Sequence, residues 1–235
     1  LAFYYEKTRQ AKKAEKYYQK AVEVSNDKIG FLITLAEYYT RARSEAQAVK
    51  VLERALSIEK DNPVVLTGLA QVYLAFDRIG KADLAVDRVL ENHPGFTNAL
   101  VQKGRILMRQ NDIKSALAKF ETVINKDRFN AEAYYYRALC LRQNASADRA
   151  GQKIYRAAAG MLDNPEAFAT QQVKKNLESA VTINPDLLDA RIRLAEIYLS
   201  ENDAEKAEKQ IRQVYRLAPK REKTVMLIAG LKVLK

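Results

Sequence analysis

The chain has no tryptophan, one histidine, one cysteine, five prolines and eight glycines in 235 residues. Each shortage excludes something. A lone thiol, Cys140, cannot build an intramolecular disulfide framework or a cysteine-based metal cluster, and it leaves the redox compartment open. Glycine and proline this scarce give long loops and hairpin-rich sheets little raw material. No run approaches the ~18 consecutive apolar residues of a membrane-spanning helix, and no charged-then-apolar leader opens the chain. The opening Leu1-Ala2-Phe3-Tyr4-Tyr5 reads as the second half of a helix, so an excerpt of a longer protein is expected. What is abundant favours helix: alanine, leucine, lysine, glutamate, glutamine and arginine, within a composition that is 48% apolar. These proportions predict an all-α globular chain, and a formal charge of +11 allows an anionic partner.

Self-similarity then fixes the architecture. Tyr5, Tyr39 and Tyr73 stand 34 residues apart, followed in step by Leu107 and Leu141. Three residues before each lies a small residue: Ala2, Ala36, Ala70, Gly104 and Ala138. Nine residues after each lies another: Ala14, Ala48, Ala82, Ala116 and Ala150. Then come Tyr18, Leu52, Val86, Phe120 and Ile154, and after them Ala21, Ala55, Val89, Val123 and Ala157. The frame returns as Ala195, Tyr198, Ala207, Ile211, Val214 and Pro219. Small residues let two helices approach, and apolar residues three or four apart fill the seam between them. Each period is therefore a helical hairpin with a short polar turn, such as Gln110-Asn111-Asp112. Asn or Pro signals such as Asp61-Asn62-Pro63 separate the hairpins.

This pattern resembles the tetratricopeptide repeat family, whose 34-residue motif takes small residues at positions 8, 20 and 27, an aromatic at 11 and Pro at 32. Leu194-Ala195-Glu196-Ile197-Tyr198 with Asn202-Asp203-Ala204-Glu205-Lys206-Ala207 and Pro219 is the clearest match. The resemblance implies an all-α, right-handed α-α superhelix of about six hairpins. We parse it as a single array over 1–235: a partial unit 1–28, units 29–62, 63–96, 97–130 and 131–164, an extra helix 165–187, a unit 188–221 and a final helix 222–235. The extra segment arises because Leu141 and Tyr198 are 57 residues apart rather than 34. It reads as a repeat that lost its first helix, with Asn164 as cap, Pro165 in the first turn and Phe168, Val173, Leu177, Ala180 and Val181 as the apolar face. The competing parse makes 145–172 an insertion inside one unit. Lys103 and Arg137 replace the usual apolar residue at position 7 and predict wetter packing there.

The resemblance further implies that first helices line a concave groove through positions 2, 5, 6, 9, 12 and 13. On this chain those positions include Thr67, Gln71 and Leu74, and the candidate partner-binding residues Asn98, Gln102, Arg105, Arg109, Tyr135, Tyr136, Arg142 and Arg193. Guanidinium groups, a carboxamide and two rings suit an acidic or carboxylate-bearing peptide with an apolar anchor. The arrangement family members use to clamp a chaperone tail is not matched by any three consecutive complete units.

Catalysis needs a reactive group beside a second residue that tunes it. His93 lies in an inter-repeat turn before Pro94, and Cys140 has core spacing without a sequence partner, so no enzymatic activity and no cofactor or metal is expected. Nucleic acid ranks below protein as partner. Basic residues are interspersed with acids in every unit, six of them in 1–25 lie mostly on the outer side of a second helix, and the period lacks the base-reading pair of the 35-residue RNA-binding repeats. The expected role is a protein-binding scaffold or adaptor. The alternative is a self-assembly module stacking through array ends, in the style of long bacterial tetratricopeptide proteins that support envelope and polysaccharide-export machinery.

Overall fold

The computed structural model describes residues 1–147 and 165–234, which form helices and turns with no strand among them. In chain order the helices are α1 (Ala2–Lys7), α2 (Ala11–Val24), α3 (Ile29–Arg41), α4 (Glu45–Ile58), α5 (Pro63–Ala75), α6 (Ile79–Asn92) and α7 (Thr97–Arg109). They continue with α8 (Ile113–Lys126), α9 (Ala131–Ala147), α10 (Pro165–Ile183), α11 (Leu188–Ser200), α12 (Ala204–Leu217) and α13 (Glu222–Leu234).

Local chemistry starts and stops these helices in the frame of the repeat. The Asn62 carboxamide accepts hydrogen bonds from the backbone N–H of Val64 and Val65, with Pro63 at the first helical position. The Asp112 and Asp203 carboxylates do the same for Ser115 and Lys206. Each first helix that is followed by a tight turn ends on a left-handed residue at one frame position: Arg9, Arg43, Asp77, Asn111 and Asn202, with φ of 59°, 61°, 60°, 64° and 57°. The next N–H then reaches back to the carbonyl of the phase tyrosine, Gln10 to Tyr5, Ser44 to Tyr39, Arg78 to Tyr73 and Asp203 to Tyr198, all within 2.8–2.9 Å. This satisfies a carbonyl the helix end would leave orphaned.

The chain divides into two compact units, Leu1–Gln110 and Asn111–Lys235. The first contains the hairpins α1–α2, α3–α4 and α5–α6, followed by α7. Its seams are made by the small residues of the frame: Ala14, Ala48, Ala70 and Ala82 have no exposed surface and Ala36 has 2%. Around them Tyr18 stacks on Tyr38 with ring centroids 4.8 Å apart, and the Tyr39 hydroxyl donates to Glu15 on α2. α5 is buried on nearly every side, because it packs against α4 and α6 and also touches the first helices α3 and α7.

The second unit contains α8 to α13. Ala116, Phe120 and Val123 of α8 are fully buried, and Phe120 stacks on Tyr136 of α9. A further core gathers Ala138 of α9, Val173, Leu177 and Ala180 of α10, and Ala190, Ile192, Leu194, Ala195, Tyr198, Ala207, Ile211 and Val214 of α11 and α12. The α10 residues stand one period before Ala207, Ile211 and Val214, so α10 carries the register of a second helix. It packs along α9 on one side and α11 on the other, as α4 packs between α3 and α5. Ala150, Ile154, Ala157 and Asn164 lie outside the described residues.

Position 7 is wet in an organised way. Lys103 Nζ donates to Asp83 and Asp87 of α6 at 2.6 and 2.7 Å, and Arg137 Nη2 donates to Glu121 of α8 at 3.3 Å. Glu121 and Arg137 repeat the Asp87–Lys103 bridge one period later.

Candidate partner-binding site

A groove in such an array is built from whatever the first helices leave uncommitted, so each candidate is placed by what its side chain already touches. In the first unit Asn98 is exposed on the first turn of α7. Gln102, one turn on, is buried at 5% exposure, and its carboxamide oxygen accepts a hydrogen bond from Arg105 Nη1 at 2.7 Å. Arg109 donates to Asp77 in the turn after α5 at 2.9 Å. Thr67 and Leu74 of α5, also at groove positions, are buried at 6% and 3%. The exposed side chains left on α5 are Val64, Gln71 and Ala75. Contact between neighbouring first helices consumes positions 5 and 12 of α5, and the surface that remains on that helix is narrow and weakly polar.

The second unit is different. Tyr136 faces α8, its ring stacked on Phe120 at 5.6 Å, and Tyr135 meets it edge-on at 5.1 Å. Tyr135 turns towards α11, where the Asp189 carboxylate and the Arg193 guanidinium both act on its phenol. Burial and the Asp189 carboxylate raise the phenol pKa against the pull of Arg193. Arg193 also donates to Glu196 at 3.1 Å, and Glu196 lies 3.9 Å from Lys223 of α13. Asp189, one turn before Arg193, pairs with Arg221 at 3.0 Å. Three helices that occupy first-helix places, α9, α11 and α13, thus contribute to one polar strip carrying three cations and two carboxylates. Arg142 is exposed near the end of the described part of α9, with no ion pair among the described residues.

Of the eight candidates, the structure joins Gln102 with Arg105 and Tyr135 with Tyr136, and brings Tyr135 near Arg193. Asn98, Arg109 and Arg142 stand apart from those contacts. Sequence reasoning missed Asp189, Arg221 and Lys223. Asp189 and Lys223 lie one period apart at position 2, so the position map, extended to the final helix, carries the signal for both.

The two residues weighed for chemistry are placed unambiguously. Cys140 is fully buried, and burial alone pushes its thiol up to about 12, which keeps it protonated and a poor nucleophile. His93 is exposed in the turn after α6. Among the described residues no group of His, Cys, Asp and Glu could hold a metal ion, and no helix is long and apolar enough to cross a membrane.

Helical hairpins in a 34-residue frame, with first helices free to present side chains, define a class of repeat protein, and the sequence comparisons agree. Tetratricopeptide repeat models match residues 1–28, 40–106 with 166–230, and 101–164. The chain belongs to the tetratricopeptide repeat family. No curated protein matches the sequence. Similar solved structures include yeast Tom70, with a TM-score of 0.67 and 16% identity over 94% of this chain and 43% of that one. The human IFIT1 dimer with PPP-AAAA gives 0.65 and 13% over 95% of this chain and 55% of that one. TTC0263, a thermophilic tetratricopeptide protein of Thermus thermophilus, gives 0.61 and 19% over 86% of this chain and 97% of that one. The chain therefore spans about half the length of the first two, and identities this low carry the fold alone.

Proposed function

We propose that this chain is an interaction scaffold that holds a segment of a partner protein along its first helices, and that acidic segments are preferred. The observation supporting this is the strip of the second unit, where Tyr135 of α9 lies beside Arg193 of α11, and half-exposed ion pairs run from Arg193 to Glu196 and from Glu196 to Lys223 of α13. Exposed pairs of this kind are worth about 0–1 kcal/mol each, so an incoming carboxylate exchanges one for another at small cost. The ring of Tyr135 supplies an apolar wall and its hydroxyl a hydrogen-bonding group. On this reading α9 and α10 form a single hairpin with the extra residues between them, since α10 has the register and the neighbours of a second helix. The role is binding rather than catalysis.

The test is capture of partners from source-cell lysate by the wild-type chain beside an Arg193→Ala, Tyr135→Ala variant, with nuclease treatment and mass spectrometry. A protein retained by the wild type and lost by the variant, at equal helicity, is the expected result. Identical capture by both would move the interface off the strip, and capture abolished by nuclease would replace protein with nucleic acid.

A second reading, self-association, is favoured by one observation. Val225, Met226 and Val233 of α13 are exposed at 59%, 65% and 87%, an apolar face that a second copy could cover. A mass by light scattering that rises with concentration, and ceases to rise in Met226→Glu, is the outcome this reading requires.

A further inference from the structure

The outer face of α2 carries a charge pattern that opposes the stability of its own helix. The buried stripe of α2 is Ala14, Tyr18 and Val22. Lys12, Lys16 and Lys20 are displaced from it by two residues, about 200° around the helix, and are exposed together with Lys13. Lys12 and Lys13 lie in the first turn, where the helix dipole disfavours cations, no acidic residue offsets them, and the Gln10 side chain makes no capping hydrogen bond. Lys12, Lys16 and Lys20 are like charges at successive i,i+4 spacings, which repel.

None of these lysines has a carboxylate partner among the described residues, nor do the neighbouring Lys7 and Arg9. The acids of the hairpin are engaged elsewhere. Glu6 binds Arg41 and the Tyr18 hydroxyl, Glu15 accepts from Tyr39, and Asp27 binds Arg54. Only Glu23, in the last turn, shares the outer face. The second helix α12 shows the contrast, since its Lys206, Arg212 and Arg216 each reach an acid: Asp203, Glu208 and Asp186. Nor does the array use the face, because α2 packs chiefly against α1 and α3.

We infer that the outer face of α2 is a second docking surface, distinct from the first-helix strip, for an acidic polypeptide segment. Successive lysines of the stripe are about 6 Å apart along the helix. Carboxylates on every second residue of an extended chain repeat at about 6.7 Å, and those at i,i+4 on a helix at about 6 Å. Along α2 itself a nucleic-acid strand would find phosphate contacts but no exposed ring to stack its bases. The nearest aromatic of α2, Tyr17, is half-buried and stacked on Tyr5 at 5.1 Å.

The test is fluorescence anisotropy of a labelled oligoglutamate peptide with the full chain, beside a K12Q/K16Q/K20Q variant. A K206Q/K209Q/R212Q variant on α12 serves as control, and a poly-thymidine oligonucleotide as the competing probe. Three exposed pairs of ordinary strength correspond to a loss of about tenfold in affinity. That loss, with the control unchanged, is the expected result, and the α2 variant is expected to melt no lower than wild type because it sheds repulsion. Equal peptide binding by wild type and the α2 variant, equal loss in the control, or no peptide binding at about 0.15 M salt overturns the inference. Tighter binding of the oligonucleotide than of the peptide also overturns it, in favour of nucleic acid.

Discussion

Lys103 offers a direct test of how the repeats are fastened. It occupies a place the frame reserves for an apolar residue, its side chain is 19% exposed, and it holds the carboxylates of Asp83 and Asp87. Burial works against its charge, but the two hydrogen bonds outweigh this and hold its pKa above the usual value. Replacing it by methionine keeps the stem and deletes the ammonium, leaving two carboxylates four residues apart on α6. Charged hydrogen bonds contribute about 1.5–3 kcal/mol when shielded and under about 1 kcal/mol when exposed. For this half-shielded pair a loss of about 1–2 kcal/mol follows. Asp83→Asn with Asp87→Asn should cost a similar amount, because it strands the ammonium.

The triple variant should recover to within about 1 kcal/mol of wild type, since removing both partners also removes their desolvation cost. Urea denaturation of the four proteins closes the cycle. A coupling energy below about 0.3 kcal/mol, the level at which independent sites add, would refute the reasoning and reduce Lys103 to a surface residue with a buried stem.

Other perturbations probe other layers. Gly68→Ala on α5 should stabilise by about 0.5–1 kcal/mol, because the added Cβ meets only Leu52, at 3.7 Å; a lower melting temperature would contradict this. Phe120→Ala should cost about 3–5 kcal/mol and lower the urea midpoint, since the ring is fully buried against Tyr136. The Glu6 carboxyl is held below its ordinary value of 4.5 by the Arg41 hydrogen bond, with burial opposing and the Tyr18 hydroxyl assisting. Its contribution is therefore complete above 4.5 and lost as pH falls through the folded value. Glu6→Gln should destabilise at neutral pH and converge with wild type in acid, which melting curves across that range would show.

The period made the fold legible because its physics is local. Small residues at Ala36, Ala82, Ala138 and Ala207 can only mean close helix approach, and all four are buried. The site was less legible, for two reasons. Groove positions are free or consumed according to how closely neighbouring first helices pack, which buried Thr67 and Leu74 at positions 5 and 12 and Gln102 at position 6 while leaving Asn98 at position 2 open. Partnerships such as Tyr135 with Arg193 span more than fifty residues, and no short spacing announces them. Asp87 and Glu121, each sixteen residues before its cation, were within reach of the frame once position 7 was recognised as charged.

A repeat of this kind divides its side chains between two tasks, and the division bears on how a partner is held. Residues that fasten hairpins are either buried or tied across a seam, as Lys103 and Tyr39 are. Those on the second unit's strip are tied only to one another, and loosely, with Lys223 at 3.9 Å from Glu196. On the proposed reading, binding there replaces exposed ion pairs with similar ones, so the ionic contribution to affinity is small and weakens as salt rises above about 0.1 M. Selectivity among acidic segments must then come from what ions do not supply, the wall of Tyr135 and the shape left by α9, α11 and α13. Tyr135→Phe and Tyr135→Ala separate these parts. If both lower affinity equally, the hydroxyl matters; if only the alanine does, the ring is the anchor.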